Sequence, residues 1–206
     1  MKITKFEQSG FILETEKGFR LAFDIGNKTP IEKLAGVSVD AILVSHIHGD
    51  HFSLPQIKTL VPKKLYINNE CKEVIGEEVL LFEIVEVRTG DTITIDNVMI
   101  QLFNVDHGPN VSVPLQENFG FLITVDSKTI YFAGDMFHPS GIDVMNLEVD
   151  YALIPVGTFY TFGPEEAFAF AKAFKKIGKI ISMHYENKPE THNQFLELVK
   201  GEFEAE

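Results

Sequence analysis

The sequence predicts a mixed α/β (α+β) fold in which sheets are covered by helices. Three observations predict it. Short apolar runs bounded by turn residues fill the first half of the chain. The second half alternates strand-like and helix-like segments. The residues able to carry chemistry follow the ends of apolar runs, where a rigid sheet would hold them.

The elements follow in order. Residues 10–15 and 19–24 read as two strands around Glu16-Lys17-Gly18. Residues 40–45 are mostly apolar, as expected of a buried strand. Further strands are expected at 64–68, 79–88, 92–95 and 98–105, the later ones separated by Gly90-Asp91 and Asp96-Asn97. Residues 119–125 and 129–133 read as a hairpin around Asp126-Ser127-Lys128, and 150–156 as a buried strand. Residues 164–176 read as a helix: Pro164 suits its first turn, Glu165 and Glu166 complement its positive end, and Lys175, Lys176 and Gly178 close it. A strand at 179–183 and a last helix at about 190–200 complete the chain. No repeat, low-complexity tract or linker divides it, so residues 1–206 are expected to form one domain, made of two similar halves at most.

Composition narrows the function. The formal net charge is -12, and no Lys/Arg cluster stands out. Such a chain repels phosphate backbones, so a small-molecule substrate is expected and a nucleic acid is not. No stretch approaches the roughly 18 apolar residues of a membrane span. The first seven residues carry charges where an export signal needs an apolar run. Cys71 is the single cysteine, which forbids an intramolecular disulfide and suits a reducing compartment. A cytoplasmic location is therefore the expectation. Cys71 itself reads as a small hydrophobe.

The chemistry concentrates in Ser45-His46-Ile47-His48-Gly49-Asp50-His51, directly after the strand expected at 40–45. Three imidazoles and a carboxylate would fill a core poorly. Neutral imidazole binds Zn, Mn or Fe, and carboxylate adds charge neutralisation. With this chain's His and Asp frequencies, the pattern arises by chance about 4 times in 10,000. Three further candidates also follow strand ends: His107, Asp135 and His184. Each taken singly is ordinary, a hydrogen-bonded His or a turn Asp. Beside the hexapeptide they gain meaning. Asp24 is a candidate for orienting a ligand histidine, with a strand-ending turn as the alternative. Thr158, Phe159 and Tyr160 could line a pocket or form a plain aromatic loop. His138 is a candidate pocket residue with a surface alternative, and His192 reads as an exposed helix residue.

The His-x-His-x-Asp-His motif resembles the metallo-β-lactamase superfamily, and the resemblance covers nearly the whole chain. Ser9-Gly10-Phe11-Ile12-Leu13-Glu14, Phe162-Gly163-Pro164-Glu165-Glu166-Ala167 and Ile181-Ser182-Met183-His184-Tyr185 are similar to the small metal-dependent hydrolases related to ascorbate-6-phosphate lactonase. Gln8 stands where members of that group often carry a His. The resemblance implies a four-layered α/β/β/α sandwich with two divalent metal ions, zinc first and manganese or iron as alternatives. It implies one metal on His46, His48 and His107, a second on Asp50, His51 and His184, and Asp135 bridging both. The length leaves no room for the inserted lid domain of the nucleolytic branch or the flavodoxin-like extension of the diiron redox branch.

The activity expected from these ligands is hydrolysis of a small ester, lactone, amide or phosphoester by a dinuclear metal-bound hydroxide. Asp50 is expected to relay a proton, and His184 or Tyr185 to stabilise the oxyanion. Two other activities share the fold: a mononuclear iron oxygenase and a phosphodiesterase or nuclease. A non-catalytic binding module is a further alternative, and a homo-oligomer is expected by analogy only.

Overall fold

The structure is a computed structural model, and it describes residues 1–111 and 115–206, the side chains of 78–80 excepted. Two sheets organise the chain. The first runs in sequence order: β1 (Lys2–Lys5), β2 (Phe11–Glu14), β3 (Arg20–Phe23), β4 (Ala41–Leu43), β5 (Lys64–Ile67) and β6 (Glu83–Glu86). Strands β1 to β3 pair antiparallel, and β3 to β6 pair parallel. Parallel neighbours need crossover connections. Here these carry α1 (Ile31–Leu34), α2 (Leu54–Leu60), α3 (Asn69–Ile75) and a 3-10 helix (Gly76–Leu81).

The second sheet repeats the plan in its own strands. These are β7 (Thr92–Ile95), β8 (Val98–Asn104), β9 (Phe119–Val125), β10 (Lys128–Phe132), β11 (Glu148–Pro155), β12 (Lys176–Met183) and β13 (Glu204–Ala205). Strands β7 to β10 form an antiparallel meander, and β10 to β13 are parallel. Helix α4 (Pro164–Ala173) links β11 to β12, and α5 (Pro189–Val199) links β12 to β13. The chain thus divides into two compact units. The first comprises Met1–Arg88 and Leu115–Glu117, and the second the remaining described residues from Thr89 to Glu206.

Each unit has its own core. In the first, Ile12, Ala22, Ile42 and Leu65 from successive strands pack with Leu34, Ile57, Leu60 and Cys71 from the helices. The alternate residues Phe11, Leu13, Leu21, Phe23 and Leu43 are also fully buried, and Phe11 stacks on Phe23 at 4.3 Å. Burial of both faces explains why the segment around β4 reads as an unbroken apolar run. In the second unit, Tyr131 of β10 packs on Phe103 of β8, on Phe170 of α4 and on Phe174 just beyond it. Among the described residues, no helix is long and apolar enough to cross a membrane.

The structure corrects four expectations. The strand expected at 79–88 begins as the 3-10 helix and is extended only over β6. The helix expected at 164–176 stops at Ala173. Phe174 is already extended, and β12 runs from Lys176 through Gly178. Gly178 ends no helix: a Cβ there would lie 2.6 Å from the Asp150 carbonyl oxygen of the paired strand, so it permits a close strand approach. The first half is as helical in plan as the second, but its helices span four to seven residues. Such lengths fall below the window in which periodicity is visible. His192 is half-buried, its Nδ1 2.7 Å from Ser182 Oγ and its ring stacked on Tyr185 at 4.4 Å, because α5 lays that face over the end of β12.

Candidate metal centre

In the first unit, residues 44–51 leave the carboxyl end of β4, the end at which open α/β sheets carry ligands. The loop turns tightly, with the His51 and Phe52 amides donating to the His48 carbonyl at 2.9 and 2.8 Å. It also presses on Gly26, where a Cβ would sit 2.0 Å from the Asp50 carbonyl carbon. Only glycine leaves room for that approach.

Asp24 anchors the loop. It lies just past β3 at φ 47° and is fully buried. Its Oδ1 accepts the Ser45 amide at 2.7 Å, and its Oδ2 accepts Ser45 Oγ at 2.5 Å and His51 Nδ1 at 2.9 Å. These three donors compensate the buried carboxylate. They also fix two tautomers. A carboxylate accepts only, so His51 carries its proton on Nδ1 and keeps a lone pair on Nε2. Ser45 spends its single proton on Asp24, so its Oγ, 2.9 Å from His46 Nδ1, accepts from that nitrogen. His46 therefore also presents an Nε2 lone pair. That atom lies 3.0 Å from His48 Nδ1. Two ring nitrogens converging at this distance mark a point fit for a proton or a cation. Asp50 Oδ2 lies 3.9 Å from His51 Nε2 and accepts Gln8 Nε2 at 3.0 Å.

In the second unit, three strands deliver one residue each from their carboxyl ends. His107 follows β8, Asp135 follows β10 and His184 follows β12. Asp135 Oδ2 lies 3.3 Å from His107 Nε2 and 3.0 Å from His184 Nε2, and all three residues are buried. The Asp135 carbonyl accepts Asn118 Nδ2 at 3.1 Å, which fixes the turn. Gly134, at φ 61°, lets that turn pass the Phe119 carbonyl, which a Cβ would approach to 2.4 Å. His184 adopts φ 60°, and Gly157 beside it has no room for a Cβ, which would lie 1.8 Å from the His184 carbonyl oxygen.

The donor chemistry fits a divalent transition metal in both units. Imidazole nitrogens and carboxylate oxygens are brought together at the ends of strands, and in the first unit the outer nitrogens of His46 and His51 are already hydrogen-bonded. All seven residues are candidate ligands. The remaining expectations divide. Asp24 does contact a candidate ligand histidine, His51, at 2.9 Å. Tyr185 stacks on His192, and burial, with the Glu186 carboxylate nearby, pushes its phenol above the ordinary value. Phe159 and Tyr160 are exposed, edge to face at 4.7 Å, in a loop with Thr158 and Phe159 both left-handed. His138 is exposed and bonds through Nδ1 to Asp106 Oδ2 at 2.7 Å. Cys71 is buried, and desolvation pushes its thiol up. The sequence reading assigns no role to Ser45, Asn118 or Gln8. The signals that point to them are the position of Ser45 next to the motif and, for Gln8, the His that related hydrolases often carry there.

The profile of a beta-lactamase superfamily domain matches residues 2–184. A metal-dependent hydrolase of Thermococcus kodakarensis is 31% identical over 195 residues, covering 92% of this chain and 86% of the relative. One from Pelotomaculum thermopropionicum is 30% identical over 203 residues, with the same coverage of 92% and 86%. Among solved structures, a metallo hydrolase from Ignicoccus hospitalis superposes with a TM-score of 0.80 at 23% identity, covering 99% of this chain and 93% of that one. The chain belongs to the metallo-β-lactamase superfamily, in its branch of small metal-dependent hydrolases.

Proposed function

We propose that the four ligands of the first unit and the three of the second together hold two divalent cations, and that the enzyme hydrolyses a small ester, lactone, amide or phosphoester. The observation that carries this reading is the state of the imidazoles. His46 and His51 are both locked, through Ser45 and Asp24, in the tautomer that presents Nε2 to a cation. A purely structural histidine cluster needs no such wiring. The division follows the family resemblance: His46, His48 and His107 for one ion, Asp50, His51 and His184 for the other, with Asp135 shared. Zinc is the first candidate.

Bound there, such ions would supply an acidified water as nucleophile and polarise the scissile bond. The chain's own residues do the rest. Asp50, with its side chain 23% exposed, can take up the proton released by the attacking water. His184 or Tyr185 is the candidate to stabilise the developing oxyanion. The net charge of -12 favours a small, weakly charged substrate over a polyanion.

The test is elemental analysis of protein purified without added metal, beside the Asp135→Ala variant, with a panel of lactones, esters and phosphoesters. About two equivalents of zinc or manganese, lost in the variant together with hydrolysis, are expected. One equivalent of iron with oxygen consumption would favour the oxygenase instead. No metal after reconstitution would overturn the assignment.

A further inference from the structure

Gln8 is fully buried and adopts φ 54°, a left-handed conformation that is unfavourable for a residue with a long side chain. Two sets of contacts hold it there. Lys5 Nζ donates to the Phe6 and Gln8 carbonyls at 2.6 and 2.8 Å. The turn closes through Phe6 N to the Gly10 carbonyl at 2.8 Å and Gly10 N to the Glu7 carbonyl at 3.0 Å. The result is to aim the side-chain amide across 42 positions of sequence at Asp50, whose Oδ2 accepts Nε2 at 3.0 Å. Strain of this kind persists only where the surroundings enforce it, and it gathers at functional sites.

We propose that Gln8 is a positioning residue that orients the Asp50 carboxylate for its cation. The donor type supports this. A carboxylate with one oxygen on an amide N–H has its rotation fixed. An amide is uncharged, so it steers the carboxylate without neutralising it, as Lys or Arg would. The full negative charge stays available to a cation. Groups that hold a ligand in this way typically tune metal affinity about 10- to 100-fold.

The inference rests on the reading of Asp50 as a ligand, and the experiment separates the two. Wild type, Gln8→Leu and Gln8→Glu are loaded with cobalt and titrated with a competing chelator, and release is followed by the visible cobalt spectrum. Gln8→Glu keeps the shape but puts a carboxylate against Asp50. Both variants are expected to release cobalt at about 10- to 100-fold lower chelator strength, with an altered spectrum. In wild type, the Gln8 side-chain amide resonance is expected to shift when zinc is added, a readout that needs no variant to fold. Unchanged release by folded variants, or an amide resonance indifferent to zinc, would overturn the role of Gln8 and leave the metal site standing. A wild-type chain that takes up no cation would overturn both.

Discussion

The candidate ligand sets of the two units are built on different plans. In the first unit, four candidate ligands share one loop of six residues, and a single buried carboxylate, Asp24, ties that loop to the neighbouring strand. In the second, three candidate ligands come from three strand ends, each with its own support: Asn118 at Asp135, Gly157 at His184, and at His107 the turn in which the Gly108 amide donates to Asp106 at 2.7 Å. The first plan concentrates dependence on one anchor. The second spreads it, so that a fault in one support should stay local.

The sharpest challenge to this contrast is removal of a dispersed ligand. His184→Ala is expected to lower turnover more than about 100-fold, beyond what a supporting residue contributes, while His46 and His51 keep their tautomers. Near-normal turnover would sink the two-metal assignment. Next comes the shared anchor. Asp24→Asn keeps the left-handed backbone accessible but turns an acceptor into a donor facing other donors. Calorimetric titration with zinc should show affinity falling about 10- to 100-fold. A loss confined to one of two binding steps would mean that Asp24 does not serve both histidines.

A matched pair of glycine changes compares the supports directly. Gly26→Ala puts a Cβ into the Asp50 backbone, and Gly157→Ala puts one into the His184 carbonyl. Each is expected to destabilise by about 1–3 kcal/mol, seen as a lower thermal midpoint. The plans predict unequal damage to metal binding, greater for Gly26→Ala because four ligands share its loop. Equal losses would erase the distinction. The smallest effect is expected at His138, whose exposed pair with Asp106 contributes at most about 1 kcal/mol. His138→Ala should retain metal and stay within about twofold of wild-type turnover.

The same contrast explains what the sequence reveals. The first set is legible because its four donors fall within six residues. His107, Asp135 and His184 are legible only as residues after apolar runs, and gain weight from the hexapeptide and the family resemblance. The positions of β4, β5, β7 and β9 can be read from their apolar runs and turns. Helices α1 to α3 cannot, because a helix of one or two turns gives too few positions for a 3.6-residue period. Gly178 misleads because a glycine after lysines signals a helix end, whereas here it answers to Asp150 on a strand that was far away in sequence. Contacts such as Gln8 to Asp50 depend on where a turn aims a side chain, and no local pattern records that.

Cys71 lies at 0% exposure in the core of the first unit, and its burial disfavours the reactive thiolate. The chain therefore comes ready for thiol-directed labelling. A cysteine introduced on the surface would react with a spin label or dye while the native one stayed silent. The chain also has no tryptophan, so a single indole placed in the exposed loop at Phe159 would report alone. Distances between the two units could then be measured in solution, in the native background and with each cation added in turn.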